Sequence, residues 1–575
     1  MTSFYFNSLI AFLVILLCIS CKDVGHQKAD IVIKNGNIYT VDQAAPKAEA
    51  VAVVGGFIVA VGKNVTVDPW IGEHTEVINL QGKTMTPGLI EGHGHFLAMG
   101  RSKLNLDLLD VTSYEQLVEK VEEAVMEALP GEWILGRGWH QSKWDSISGP
   151  VEKGFQTHQM LSAVSPDNPV FLSHASGHAG FANAKAMEIA GVGLLAKESL
   201  SKEDKHGGEV IRDKEGNPTG IFNETSMALI TKHIPAADEA MDRRAMKLAI
   251  QECLENGITS FQDAGAFANQ IKLAEDFLTE GQLDVRLWMM LSSKDTILLN
   301  DWYTKGPAVG LGNNFLTIRA IKIHADGALG SRGAWLLDEY EDRPAHFGHE
   351  TEPMAFVYDI AKKGLRHGFQ VCTHAIGDRT NREVLNMYEK AFKENPEAAK
   401  DARFRIEHAQ HLSLEDIPRF GQLGVIPAMQ AIHMSSDRPW AIYRLGKKRI
   451  VEGAYVWQKL LKSGAIIVNG TDVPVEPINP IASFYASVSR KTLKGEPDGG
   501  YEPEQKMTRD QALRSYTLHA AYGAFEENIK GSIEVGKVAD FTVYSQDLMQ
   551  VGEDEILNTR IDMTIIDGKV AYIRD

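Results

Sequence analysis

A chain of 575 residues is too long for one compact hydrophobic core, so two to four structural units are expected. Its 44% hydrophobic and 23% charged residues are ordinary for a globular protein. The formal charge of -17, with no basic stripe to offset it, argues against nucleic acid as a partner and otherwise mainly aids solubility.

The chain opens with an apolar stretch, Leu9–Ile19 ("LIAFLVILLCI"), too short to cross a bilayer comfortably, that runs into "CISCKD". A short apolar core, a small residue and then Cys resembles a bacterial lipoprotein signal covering residues 1–21, with Cys21 as the acylated first residue of the mature chain. No Lys or Arg precedes the core, which departs from the usual signal. An uncleaved anchor or an ordinary signal peptide is the alternative. The expectation is an exported protein, anchored by lipid at a bacterial membrane. With Cys18 and Cys21 in the signal, Cys253 and Cys372 remain. Both lie in apolar-periodic segments and read as buried small hydrophobes without a disulfide.

Residues 28–88 read as short strands broken by NG and GG turns. The same texture returns in 525–575, with "GSIEVGKVADFTVYS" and "DMTIIDGKVAYIRD". Two β-rich ends around a different middle predict one small β-sandwich built from both termini. In the middle, "GLIEGHGH" is followed by strand-like runs at Gly257–Gly265, Val285–Ser292, Leu316–Asp326, Phe369–His374, Phe404–His408, Gly424–Gln430 and Ala465–Asp472. Amphipathic stretches such as Arg379–Asn395, Leu414–Leu423 and Arg449–Lys462 lie between them. Buried-type strands alternating with helices predict an α/β protein, a (β/α)8 TIM barrel over 89–99 and 251–524. Residues 100–250 exceed any ordinary connection and are expected to form an inserted subdomain over the barrel mouth. Its Trp133, Trp139 and Trp144 read as that subdomain's core.

Active-site groups of such barrels come from the C-terminal ends of strands. The polar residues closing these strands are His93 and His95, Lys322, His374, His408 and Asp472. Alternate residues of one strand point the same way, so His93 and His95 can face one ion. Imidazole suits zinc and similar divalent ions. Four histidines and an aspartate exceed the needs of one catalytic zinc with an open position, which implies two metals. Gly92 and Gly94 are the small residues expected to leave the ions room. Lys322 beside two cations fits only if neutral, or if its amine has taken up carbon dioxide as a carbamate.

These residues resemble the amidohydrolase superfamily, in its N-substituted formamide deformylase-like branch. The resemblance is carried by "TPGLIEGHGHF", "GITSFQDAG", "IKIHADGALGSRGA", "THAIGDRTNREVL", "RIEHAQHL", "NGTDVPVEPINP" and the closing "KGSIEVGKVADFTVY". It implies that His93, His95 and Asp472 bind the more buried metal, that His374 and His408 hold a second, and that carboxylated Lys322 bridges them. Branches differ in metal number, so one or two ions are implied. Asp472 would be the general base, taking a proton from metal-activated water and passing it to a departing nitrogen. The implied reaction is hydrolysis of a non-peptide carbon–nitrogen bond in a small molecule: an amide, N-formyl, N-acyl or cyclic amide. A deaminase acting on an amidine-like ring carbon is the alternative on the same scaffold, and a non-catalytic lipid-anchored binding protein is the alternative from another class. His433, after the seventh strand in "MQAIHMSSD", is placed to contact substrate or an oxyanion. His140 and His178 in the insertion, and His324 beside Lys322, are candidate substrate contacts. Glu224 and Asp326 are candidates for supporting a histidine or arginine.

Overall fold

The structure is a computed structural model that describes residues 27–141, 144, 149–174, 179–192, 208–235 and 238–575. Cys21 and His178 lie outside the described residues, as does the side chain of Glu224. Eight parallel strands make the barrel, with a short antiparallel strand, Ala308–Gly310, added beside the fourth: β1 (Leu89–Gly94), β2 (Ile258–Ala266), β3 (Arg286–Ser292), β4 (Leu316–His324), β5 (Gln370–Ala375), β6 (Arg405–His408), β7 (Ile426–Met429) and β8 (Val468–Asn469). Each pairs in parallel with the next in chain order, the pattern of a (β/α)8 barrel. Strand β3 is buried at every position, as the continuous apolar run in its sequence demands.

The sheet curls until β8 lies against β1. A Cβ added to Gly92 would sit 2.4 Å from the Asn469 carbonyl oxygen and 2.5 Å from Val468 Cγ1. At Gly94 it would sit 2.6 Å from the Phe261 ring and 2.9 Å from Val473 Cγ1. The two glycines therefore do not make space for ions. Gly92 admits the backbone of the closing strand, and Gly94 admits two side chains at the rim.

Helices Asp378–Glu394 and Ile417–Leu423 occur where the periodicity places them. The run Arg449–Lys462 is not one helix. A helix over Ala431–Gly453 ends, and another starts at Trp457–Lys462. The break lies where backbone groups are diverted to the segment after β6: Leu412 N donates to Gly453 O at 2.9 Å, and Tyr455 N to Gln410 O at 3.0 Å. Tyr455 takes a left-handed φ of 52° there. Strand β8 is also shorter than its apolar run, because Asp472 turns out of the extended line with φ 60°.

Strands from both termini make two further sheets. Thr84–Pro87 pairs antiparallel with Phe541–Tyr544, so the two ends of the chain share one sheet. Ile31, Ile33, Val51, Val53, Met85, Phe541, Val543 and Ile565 fill the common core. Buried Arg286 on β3 ties this unit to the barrel, donating to both carboxylate oxygens of Asp540 at 2.7 and 3.0 Å.

The insertion carries its own six-stranded mixed sheet. Trp139, Trp144 and Phe181 lie in its core, and Trp133 packs on a smaller cluster behind it. Arg137 Nη1 donates to Pro474 O at 3.3 Å, joining the insertion to the loop just past Asp472. The helix Glu239–Glu255 packs Ala245, Met246, Ala249, Ile250 and Cys253 into the barrel core rather than the insertion's. Cys253 and Cys372 are buried and free.

Closure at β1 and β8 predicts that Gly92→Ala overpacks the seam and destabilises the fold by about 1–3 kcal/mol. Gly92 lies outside the left-handed region, so the loss would come from crowding and not from backbone strain. A denaturant midpoint for Gly92→Ala no lower than that of wild type would reject this account.

Candidate metal centre

All six strand-end residues converge at one end of the barrel. His93 and Lys322 are fully buried, with Lys322 Nζ 3.3 Å from His93 Nε2. Asp472 Oδ1 lies 3.1 Å from His95 Nε2 and 3.5 Å from His93 Nε2. The ring centroid of His408 is 4.8 Å from that of His93 and 4.4 Å from that of His374. Strict alternation would turn His408 away from its neighbour Glu407. Left-handed backbone at His408 (φ 74°) and at Ala409 (φ 42°) re-aims it. Non-glycine residues in that region cost of order 1–3 kcal/mol each. His408 and Asp472 both carry this strain, and both are strand ends of the cluster.

Hydrogen bonds on the outer side of the rings decide which nitrogen faces inward. His93 Nδ1 bonds to Glu407 Oε2, which leaves Nε2 toward Lys322 and Asp472. His408 Nδ1 donates to Gln430 Oε1 at 2.7 Å. Gln430 is itself oriented, its amide donating to Ala428 O at 3.2 Å. Behind His93, Arg405 donates to Glu407 Oε1 at 2.7 Å and to Oε2 at 2.9 Å, and also to Gly92 O at 2.8 Å. Burial alone would raise the Glu407 carboxyl, but the charges of Arg405 and His93, the His93 hydrogen bond and Lys322 hold it well below the usual range. Burial, then the nearby Lys322, lowers His93 to about 4, so its ring is neutral. Burial likewise lowers His374 and His408 well below the usual imidazole value. Burial opposes the ionisation of Asp472, yet the hydrogen bond from His95 and the rings of His408 and His93 keep it an anion.

The result is a concentration of imidazole nitrogens and carboxylate oxygens in one buried space. Among the described residues, donor atoms of His93, His95 and Asp472 lie within 4.8 Å of one another, and so do those of His408, His433 and Asp472. His433 Nε2 is buried and makes no hydrogen bond. Neutral imidazoles and a carboxylate crowded in this way repel one another unless a cation sits among them. The donor set therefore fits a divalent ion. Among the described residues no carboxylate oxygen lies within salt-bridge distance of Lys322, and burial lowers its amine from the usual lysine value despite Glu407 and Asp472.

The other sequence-derived candidates separate. His324 shares a side of β4 with Lys322, its ring 5.6 Å from that of His374, and burial followed by Lys322 lowers it to about 3. His433 is buried in the first turn of Ala431–Gly453. His140 sits in the insertion with its ring 4.5 Å from that of His174. Asp326, just past β4, accepts from Ile376 N, Gly377 N, Trp335 N and Thr380 Oγ1 at 2.7–3.0 Å and lies 3.5 Å from His374 Nε2. It organises the loop that follows His374. Sequence reasoning passed over Glu407, Arg405, Gln430 and Glu91. The signal for the first two was present: charges at alternate positions of an apolar strand, R-I-E, must both point into the barrel.

A family model described as the amidohydrolase family matches residues 76–572. The chain belongs to the amidohydrolase family. This amidohydrolase is 32% identical over 557 residues to Protein LONG AFTER FAR-RED 3 of Arabidopsis thaliana, covering 95% of this chain and 92% of that one. It is 27% identical to N-substituted formamide deformylase of Arthrobacter pascens, covering 95% of this chain and 99% of the relative. Among solved structures, an uncharacterized metal-dependent hydrolase from Pyrococcus horikoshii OT3 superposes with a TM-score of 0.72 at 26% identity, over 91% of this chain and 99% of that one. The protein is thus a hydrolase of a metal-binding family.

The Glu407 contact predicts that Glu407→Gln loosens metal retention by about 10–100-fold in a chelator competition, because the ring of His93 loses the anion that fixes its tautomer. Retention equal to wild type would show that His93 is oriented by something else.

Proposed function

We propose that this amidohydrolase cleaves a carbon–nitrogen bond other than a peptide bond in a small molecule, an amide, N-formyl, N-acyl or cyclic amide. The observation that carries the reading is the buried Asp472, held as an anion and shared by two groups of donor atoms, one with His93 and His95 and one with His408 and His433. His93, His95 and Asp472 would hold one divalent ion, and His374 and His408 a second, with Lys322 between them. When bound, such ions, zinc first among them by imidazole preference, lower the pKa of a water and polarise a carbonyl. Asp472 accepts the proton of the attacking water and returns it to the departing nitrogen, which leaves as a neutral amine. The buried amine of Lys322 is held toward its neutral form, the form that adds carbon dioxide. Its nitrogen bonds to the carbon of carbon dioxide and releases one proton, so the neutral amine becomes an anionic carbamate suited to lie near two cations. The printed name of the Arthrobacter relative supports N-formyl amides as the first compounds to test.

Chelator dialysis should abolish turnover of N-formyl and N-acyl amides, and zinc or manganese should restore it. Asp472→Asn should retain the fold and lower kcat by about 10²–10⁴-fold. Activity that survives in Asp472→Asn would remove it as the base.

We also propose export with a lipid anchor at Cys21, supported by the apolar run Leu9–Ile19 that precedes it. Among the described residues no helix is long and apolar enough to cross a membrane. Wild type expressed in a bacterium should partition into detergent and carry an acyl mass increment that Cys21→Ser lacks. Identical N-terminal masses, allowing for the substitution, would reject acylation.

A further inference from the structure

We propose that His433 is itself a metal ligand, completing with His408 and Asp472 a second three-donor set that shares Asp472 with the His93–His95–Asp472 set. This rests on the metal-centre reading above and adds to it a residue from outside the strand ends. Three observations carry it. Donor atoms of His408, His433 and Asp472 lie within 4.8 Å of one another, the same spacing as the first set. His433 Nε2 is buried and makes no hydrogen bond, while Asp472 lies between the two histidine groups. The rings of His408 and His433 run nearly parallel, 17° apart with centroids at 6.2 Å.

One short turn arranges both imidazoles. The Gln430 side chain takes His408 Nδ1 at 2.7 Å, which commits His408 Nε2 to the shared space. The Gln430 carbonyl accepts from His433 N at 3.2 Å and starts the helix that carries His433. A role as hydrogen-bond donor to substrate requires a proton on His433 Nε2. A proton there, so near an anionic carboxylate, would be drawn into a hydrogen bond with it. His433 Nε2 makes no hydrogen bond, so nothing among the described residues competes with an ion for it. Asp472, common to both sets, can then offer its oxygens to two ions.

The test uses full-length protein stripped with chelator and loaded with cobalt(II), a spectroscopic substitute for zinc. Elemental analysis gives the stoichiometry and absorption spectra report the ligands. Wild type, His433→Ala and His433→Cys are compared, with circular dichroism to confirm folding. His433→Ala should lose the more weakly held ion and the part of the visible spectrum due to it. His433→Cys should regain the ion and show a sulfur-to-cobalt charge-transfer band in the near ultraviolet, because a thiolate now occupies the ligand position. A cysteine that merely faced substrate would give no such band. Absence of the band in folded His433→Cys overturns the proposal whatever the stoichiometry. If wild type binds no cobalt, the metal-centre reading falls and this one with it. Cobalt bound by wild type with no band in the cysteine variant rejects His433 alone.

Discussion

The arrangement depends on a pair of charges that water does not reach. Arg405 and Glu407 are both fully buried inside the barrel. Breaking such a pair by removing one partner typically costs about 3–5 kcal/mol, since a lone buried charge is left behind. Stability alone does not explain the pair, because apolar residues of similar volume would often serve as well. Its consequence lies in the state of His93. An ionised Glu407 can only accept, so the proton of the imidazole sits on Nδ1 and the lone pair on Nε2 faces Lys322 and Asp472. Were Arg405 absent, burial would protonate Glu407, the hydrogen bond would reverse, and Nε2 would carry a proton into the site. Gln430 does the same for His408 without charge, its own orientation fixed by the Ala428 carbonyl.

A second buried carboxylate at the same end of the barrel takes the opposite state. Glu91 on β1 accepts from Thr471 N and His93 N, and its other oxygen lies 3.0 Å from Thr471 Oγ1. Burial, with the charge of Asp472, outweighs those hydrogen bonds and raises it to about 8. Glu91 thus clamps β1 to the short β8 without adding a charge to the interior. The clamp matters because β8 contributes only two residues to the ladder, and Asp472 leaves it in a strained conformation. Asp472 N donates to His93 O at 2.7 Å and His95 N to Val473 O at 2.8 Å, so the seam of the barrel and the first donor set are one structure.

The sequence showed the eight strands and the ligand-bearing ends because both follow from simple periodicities. A parallel barrel strand is an apolar run, and a polar residue at its end has nowhere to go but the mouth. What escaped that reasoning depends on contacts between strands distant in the chain. Gly92 is explained by Asn469, and Glu407 by His93, 314 residues away. The divided helix around Tyr455 escaped for the same reason, since its amphipathic pattern is continuous and the break is imposed by the segment after β6. His408 was found although its orientation could not be deduced. Alternation from Glu407 points it the wrong way, and only the left-handed turn corrects it.

The chemistry and the choice of substrate rest on different parts of the chain. The donor atoms and the residues that orient them sit on β1, β4, β5, β6 and the turns after β7 and β8, held by backbone that tolerates little change. The insertion has a separate core built around Trp139 and Phe181 and reaches the mouth through Arg137, which holds the Pro474 carbonyl two residues beyond Asp472. Side chains on its strands can change without disturbing the buried pair that fixes His93. The similarity to the Arabidopsis and Arthrobacter proteins covers 95% of this chain in both cases, so it spans the insertion as well as the barrel. An insertion with its own core can present different side chains to the mouth while the barrel strands stay as they are. Arg137 is where that wall is fastened to the loop that follows Asp472.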